Sequence, residues 1–276
     1  MKTVQNKVAA ITGAGSGIGQ ALAKLLSSNG CHVAISDINE SGLELTRKAC
    51  ELHGVKVHSQ RLDVADRNAV YSWAETVNNH FGKVNMIFNN AGVGLGATVE
   101  EMEYEDFDWL FNINFWGVVY GTKAFLPLIK SAGEGHIVNI SSVFGIISVP
   151  TQSAYNASKF AVRGFTDALR EELDIEQCGV SATTIHPGGI KTNIAKGARV
   201  KVDPKWLNGR DPGKDFEKLA LTTPEQAAKI IYNGMMKNKR RVLVGPDAKV
   251  IEGMQRLAPG IYQRLLITGA KRGLQI

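Results

Sequence analysis

The most informative segment of the chain is TGAGSGIG, residues 12–19, which continues the short apolar run KVAAIT of residues 7–12. After it, apolar residues recur at helical spacing, at Ala21, Leu22 and Leu25. A strand, a glycine-rich turn and a helix in this order can bind a pyrophosphate, because glycine lets the backbone approach the anion at the positive end of the helix. A tight structural turn could use the same glycines, but the flanking strand and helix favour a dinucleotide site.

Outward from this stretch, short apolar runs alternate with segments of helical period. The runs predict strands at 7–12, 31–36, 55–62, 84–88, 136–140, 180–185 and 241–244. The periodic segments predict helices near 17–29, 39–53, 66–80, 103–131, 153–177 and 224–238. Such alternation is typical of an α/β fold, a parallel sheet with helices on both faces. We therefore expect one domain over residues 1–276, with an irregular segment at 193–221 that is long enough to form a functional loop or lid, and a tail at 246–276.

Composition excludes several classes of protein. With 276 residues, 44% hydrophobic and 21% charged, the chain has the composition of an ordinary globular protein. It shows no apolar run long enough to cross a bilayer and no apolar signal core before the first strand, so we expect a cytoplasmic protein. The three cysteines and six histidines form no disulfide or metal-ligand pattern, and no metal is expected.

The charge is distributed unevenly. Residues 1–189 contain 14 basic and 19 acidic residues, whereas residues 190–276 contain 18 and 7. No helix combines clustered arginine with aromatic residues, so the basic run KNKRR at 237–241 is interpreted as a solvated helix end and no nucleic-acid partner is expected.

Asp37 ends the second predicted strand, 18 residues after Gly19. A carboxylate at about this distance binds the adenosine ribose hydroxyls of NAD, whereas NADP would need a cation for its 2′-phosphate. Ser16 and Ile38 are both neutral, so the sequence favours NAD over NADP. The alternative is that Asp37 only caps the next helix.

Polar residues follow two further strands. Asn89-Asn90-Ala91-Gly92 comes after the fourth, at the edge where open parallel sheets bind ligands, although turn chemistry alone would also explain it. Ser142 comes after the fifth, and Tyr155 and Lys159 are four residues apart on a predicted helix, hence on one face. A Tyr-xxx-Lys pair alone is a weak signal, and its weight comes from Ser142 and the glycine loop.

Together, TGAGSGIG, NNAG, NINFWG, VNISS, YNASK and HPGGIKT resemble the short-chain dehydrogenase/reductase family in order and spacing, over residues 7–193 and on to about 245. The resemblance implies a single-domain Rossmann-like doubly wound sheet of about seven strands, a homodimer or homotetramer, and interconversion of a secondary alcohol and a ketone with NAD or NADP.

The resemblance also implies residue roles. Tyr155 would be the acid–base group, Lys159 would lower its pKa and bind the nicotinamide ribose, and Ser142 would hold the substrate oxygen, while Asn114 would anchor a water relay. The cofactor-binding residues it implies are Gly13, Ser16, Gly17, Ile18, Gly19, Asp37, Asp63, Val64, Asn90, Ala91, Gly92, Tyr155, Lys159, Pro187, Gly188, Ile190 and Thr192. His186 is assigned a structural role.

The first hypothesis is thus an NAD-dependent oxidoreductase of a bulky apolar alcohol or ketone, because apolar residues dominate the expected specificity segments. These are 94–99, 143–152 and 193–221, with Val143, Phe144, Ile146, Ile147, Val149, Trp206 and Leu207 among their members. Core packing would explain the same residues equally well. The alternatives are a non-catalytic dinucleotide-binding sensor or scaffold, and a peripheral-membrane lipid or sterol dehydrogenase.

The tail carries an apolar stripe from Val250 to Leu265, interrupted at Pro259-Gly260 into two short helices and flanked by basic residues. Two interpretations are open. We favour packing of the stripe over the substrate cleft of its own or a neighbouring subunit. The other is a weak contact with an anionic membrane surface.

Overall fold

The computed structural model describes residues 1–194, 197–202 and 220–271 of the chain. Its centre is a seven-stranded parallel sheet in the order β3-β2-β1-β4-β6-β7-β9. The strands are β1 Val8–Thr12, β2 His32–Asp37, β3 Val57–Arg61, β4 Met86–Asn89, β6 Gly135–Ile140, β7 Val180–Pro187 and β9 Arg241–Val244. All seven predicted strands and the Rossmann-like doubly wound sheet are confirmed.

Helices cover both faces of this sheet. They are α1 Gly17–Ser28, α2 Glu40–Glu51, α3 Arg67–Phe81, α4 Tyr104–Phe111, α5 Gly117–Ser131, α6 Ser153–Glu176, α7 Pro224–Met236, α8 Pro246–Leu257 and α9 Pro259–Lys271. On one face, Leu22 of α1 and Ile231 of α7 are fully buried against the strands. On the other, Trp73 of α3 and Phe125 of α5 pack edge to face with ring centroids 5.1 Å apart.

The strand order places the functional edge. The chain leaves β1 towards β2 on one side, and β4 pairs with β1 on the other, so the order reverses between β1 and β4. In such sheets ligands bind beyond the carboxyl ends of the strands at this reversal. The glycine stretch follows β1 and the NNAG segment follows β4, so both lie at this point.

The predicted helix at 103–131 is wrong in one respect. Between α4 and α5 the chain forms a π-helix, Asn112–Trp116, rather than continuous α-helix. A π-helix widens the turn by one residue and is common at functional sites. Hydrophobic period does not signal it, because the apolar residues on either side keep their helical spacing.

A small two-stranded parallel sheet was also not predicted. Its strands, β5 Leu95–Gly96 and β8 Arg199–Val200, are only two residues long and give no periodic signal. They attach the described part of the 193–221 segment to the loop after β4. The chain before and after that segment also comes together, because Ile190 forms a β-bridge with Thr222.

The tail forms two helices separated at Pro259, as expected from the sequence. Among the described residues, no helix combines the length and apolarity that crossing a bilayer requires. No group of three His, Cys, Asp or Glu side chains in this part of the chain is arranged as metal ligands.

Candidate active site

The glycine loop between β1 and α1 forms the floor of the candidate site. Gly13 has φ +66°, which L side chains rarely adopt, and a Cβ there would lie 2.8 Å from Ala91 Cα. Ser16 precedes α1 without capping it through its side chain. The first-turn N–H groups of α1 therefore face outward without a side-chain cap, and this positive helix end can accept a phosphate.

Asp37 connects this loop to the start of α2. Its Oδ2 accepts a hydrogen bond from Gly15 N at 2.8 Å, and its Oδ1 accepts one from Asn39 N at 2.8 Å. The helix cap is Asn39, whose side chain accepts from Gly42 N, so Asp37 is not the cap of α2. The carboxylate thus lies beside the glycine loop at the carboxyl end of β2.

Asn90 and Ala91 hold the glycine loop against β4. Both backbone N–H groups donate to the Thr12 hydroxyl, and Asn90 Nδ2 donates to the carbonyls of Thr12 at 2.9 Å and Gly13 at 3.1 Å. The Asn90 side-chain amide is therefore hydrogen-bonded to the glycine loop and stabilises its conformation. Sequence reasoning did not single out Thr12 as a partner of this motif.

Asp63 and Val64, two of the implied cofactor-binding residues, follow β3. Asp63 is exposed, and its Oδ1 accepts from Ala65 N at 2.9 Å, which fixes a turn before α3. Val64 is buried, and a Cβ on Gly117 would lie 2.9 Å from it. Both residues lie after β3, which neighbours β2, so the edge that carries Asp37 also carries them.

The four implied catalytic residues come from three different elements. Asn114 lies in the π-helix, fully buried, and its amide pairs with Val93, accepting from N at 2.8 Å and donating to O at 2.9 Å. A Cβ on Gly92 would lie 3.2 Å from Asn114 Oδ1 and 3.5 Å from Lys159 Nζ. Gly92 therefore lies beside both side chains, and a side chain at this position would press on the Asn114 amide.

Ser142, Tyr155 and Lys159 meet beyond the end of β6. Lys159 is buried, its Nζ donates to Ile140 O at 3.1 Å, and the same atom lies 5.5 Å from the Tyr155 ring centroid. The Ser142 hydroxyl accepts from Phe144 N at 3.1 Å and lies near enough to the Tyr155 phenol to lower its pKa. The structure therefore brings together the three residues that the sequence separates by up to 17 positions.

The protonation of this group is governed by burial. Burial raises the pKa of Tyr155 to about 12, opposed by the hydrogen bond from Ser142, and it lowers the pKa of Lys159 to about 8. The resemblance implies a lowered Tyr155 pKa, and the protein's own burial acts in the opposite direction. Lowering it requires positive charge near the phenol, and at neutral pH Lys159 is still mostly protonated.

The loop after β7 closes over the glycine loop. A Cβ on Gly17 would lie 3.0 Å from the methyl group of Thr192, so the loop after β7 and the glycine loop face each other. Pro187 ends β7, followed by Gly188. Ile190 is buried in the core cluster.

His186 supports Ser142. Its Nδ1 lies 2.8 Å from the carbonyl oxygen of Ser142. A carbonyl only accepts, so Nδ1 carries the proton. Burial lowers the pKa of His186 to about 4, which keeps the ring neutral. This contact agrees with the structural role expected for His186.

Asp247 is a residue that sequence reasoning missed. It lies in the first turn of α8, and its Oδ2 accepts from Gly189 N at 2.6 Å. The carboxylate also lies so close to the Gly188 Cα that a side chain at Gly188 could not fit. The tail therefore supplies a carboxylate to the loop after β7. Its signal in the sequence is only an acidic residue after Pro246, typical of any helix start.

Residues of the predicted specificity segment 143–152 differ in their burial. Ile146 and Ile147 are buried and pack against Tyr262 of α9, so they belong to a core beneath the tail. Phe144 is only partly buried, and its ring meets the Tyr155 ring edge to face at 6.0 Å. Trp206 and Leu207 lie outside the described residues.

The described part of the 193–221 segment is anchored to α4. Arg199 donates to Asp106 Oδ1 at 2.9 Å and stacks over the Trp109 ring at 3.7 Å. Lys201 bonds the other oxygen of Asp106 at 2.6 Å. These contacts hold β8 beside β5, which begins three residues after Gly92.

A family model described as short chain dehydrogenase matches residues 7–203 of the chain. The protein belongs to the short-chain dehydrogenase/reductase family. It is 48% identical over 276 residues to a Mycobacterium tuberculosis protein named as an oxidoreductase, SadH, with 99% of this chain and 98% of that protein covered. It is 30% identical to human estradiol 17-beta-dehydrogenase 11, with 96% and 83% covered.

A solved structure of a short-chain dehydrogenase/reductase from Burkholderia phymatum in complex with NAD superimposes with a TM-score of 0.85. Its sequence is 29% identical, and the match covers 95% of this chain and 97% of that one. Other similar structures include a complex with an NADP derivative. The protein is thus an oxidoreductase of this family.

Proposed function

We propose that the protein is an NAD-dependent oxidoreductase that interconverts a secondary alcohol and a ketone, with Tyr155 as the acid–base group and a bulky apolar substrate. The observation that carries this proposal is the convergence of Ser142, Tyr155 and Lys159 beside the buried Asn114, at the same edge of the sheet as the glycine loop after β1. A dinucleotide-binding protein without turnover would need the loop but not this group.

In this proposal Tyr155 accepts the proton of the alcohol. A phenol with a pKa of about 12 is a poor base at neutral pH, so its ionisation depends on nearby positive charge. Lys159 supplies that charge from beneath the ring. Ser142 donates to the phenolate or to the substrate oxygen, and His186 fixes the backbone that carries Ser142. Bound NAD supplies the hydride acceptor.

The preference for NAD rests on Asp37. Its Oδ2 is hydrogen-bonded to the glycine loop, so a ribose lying over that loop would meet a carboxylate. Two hydroxyl groups can donate to it, whereas a 2′-phosphate would face like charge. The next residue, Ile38, is 60% exposed and offers no compensating cation.

An apolar substrate is supported by the surroundings of Tyr155. Its ring contacts Phe144 and belongs to an apolar cluster with Val93 and the buried Leu95. A polar substrate would leave its hydroxyl groups without partners against this wall. The human relative at 30% identity is named for a steroid alcohol, which agrees with a bulky apolar substrate class.

The test compares Tyr155→Phe with a matched control, Tyr71→Phe, whose ring is on α3. Both variants are assayed for NADH binding by fluorescence and for oxidation of a panel of secondary alcohols that includes sterols. We expect Tyr155→Phe to bind NADH normally and to lose about 1,000-fold or more in turnover, because proton transfer is removed. Unchanged turnover in Tyr155→Phe would contradict the proposal. So would a wild-type protein that binds NADH but oxidises none of the alcohols.

A further inference from the structure

The two tail helices have an inner and an outer apolar side. On the inner side, Ile251, Met254 and Tyr262 pack over the segment of Ile146 and Ile147. We call the opposite side of the two helices the outer face, and it consists of large apolar side chains that are each at least half exposed. They are Val250, Leu257, Ile261, Leu265 and Ile267. The apolar stripe of the tail is therefore only partly used by internal packing.

Exposed cations flank the outer face. Lys249, Arg256 and Arg264 are exposed on the same two helices. A groove of about 720 Å³ is lined by Lys249 and Arg256 and also by Lys237, Lys239 and Arg240 of the KNKRR run. The basic run and the tail are therefore parts of one surface.

Three of the acidic residues near this surface, Asp167, Asp247 and Glu252, are engaged with cations or backbone. Between residues 246 and 269 the acids are Asp247 and Glu252. Asp247 bonds Gly189, and Glu252 bonds Arg241 at 3.0 Å and Arg256. The groove also contains Asp167, which bonds Arg241, and Glu171. The groove is thus lined by seven basic and three acidic residues.

We propose that the outer face of α8 and α9, with the flanking cations, docks on an anionic lipid membrane. Apolar side chains in a helical stripe with lysine and arginine beside it are suited to lie at the boundary of headgroups and acyl chains. A second copy of the chain fits this surface less well, because it would bring the same cations against each other. The inner side of these helices packs on the segment that follows Ser142, so docking would place the candidate site near the lipid.

This inference does not depend on the proposed reaction, and its test needs no turnover. The full-length protein with NAD is sedimented with vesicles of phosphatidylcholine, and with vesicles that contain about one third phosphatidylglycerol. We expect binding to the anionic vesicles that weakens about tenfold or more between about 0.05 M and 0.5 M NaCl, because the salt screens the cations. Equal sedimentation with both vesicle types, or with neither, would overturn the proposal.

Two variants test the surface itself. Leu257→Glu removes an apolar residue that is 89% exposed, and Leu52→Glu, directly after the end of α2 and 86% exposed, is its matched control. Lys249→Gln with Arg264→Gln removes two cations, and Lys83→Gln with Lys123→Gln removes two exposed lysines elsewhere. We expect both tail variants to bind anionic vesicles about tenfold more weakly and both controls to bind normally.

Thermal melting and sedimentation velocity accompany these assays. All four variants change exposed side chains, so unchanged melting temperatures are expected. If Leu257→Glu instead separates an oligomer into smaller species while vesicle binding is unaffected, the outer face is a subunit interface and the membrane proposal is wrong. Normal vesicle binding by the double lysine–arginine variant would also contradict it.

Discussion

Replacing Lys159 by methionine should stabilise the protein without cofactor while impairing its chemistry. Lys159 is 3% exposed, and burial lowers its pKa from 10.5 to about 8. At pH 7 the Lys159 ammonium is therefore buried in the folded protein, whereas in the unfolded chain it is hydrated. A shift of this size corresponds to about 3 kcal/mol of destabilisation at pH 7.

Removing the buried charge of Lys159 should raise the free energy of unfolding, but part of this gain is offset in Lys159→Met. Methionine has nearly the shape of the lysine stem but cannot donate to Ile140 O, and the loss of that bond costs about 1 kcal/mol. We therefore expect Lys159→Met to be more stable by about 2 kcal/mol at pH 7. Urea unfolding at fixed protein concentration measures this difference, with the exposed Lys123→Met as a control that should change stability by less than about 0.5 kcal/mol.

The pH dependence has a definite sign. Below pH 8 the lysine is protonated in both states and the penalty is complete. Between pH 8 and 10.5 the unfolded chain binds more protons than the folded one, so wild-type stability rises with pH relative to the variant. The advantage of the variant should shrink by about 1 kcal/mol from pH 7 to pH 9. A variant less stable than wild type at pH 7, or a difference independent of pH, would refute the reasoning.

Four further outcomes are expected. The rate of alcohol oxidation should rise with pH as Tyr155 ionises, with a midpoint below about 10, and Lys159→Met should shift this pH–rate profile to higher pH. An unchanged profile would show that Lys159 has no part in the mechanism. Isothermal titration should show NAD binding at least about tenfold tighter than NADP, and Asp37→Ser with Ile38→Arg should reverse the order. Asp247→Asn should weaken NAD binding several-fold with little loss of turnover at saturating NAD, because Gly189 N would then donate to a neutral amide instead of a carboxylate. Equal effects on KM and kcat would argue against a positioning role for Asp247. Truncation after Gly245 removes that carboxylate together with Tyr262 and should lower the melting temperature, whereas an unchanged melting temperature and NAD affinity would show that the tail supports neither.

The sheet and the location of its functional edge can be predicted from the order of the residues alone. Seven short apolar runs separated by helical segments allow little besides a parallel sheet covered on both faces. Because parallel strands end at one edge, the glycine loop after β1, NNAG after β4 and Ser142 after β6 had to lie together. The four-residue spacing of Tyr155 and Lys159 placed both on one face of α6.

Features that depend on contacts between distant segments become visible only in the folded protein. The π-helix at Asn112–Trp116 and the pairing of β5 with β8 are too short or too local to change a hydrophobic period. The contact of Asp247 with Gly189 joins residues 58 positions apart, and nothing in either local pattern encodes it. The division of the tail into an inner and an outer apolar side has the same origin. Periodicity specifies that a stripe is apolar, but which of its residues are covered depends on the surface that packs against it.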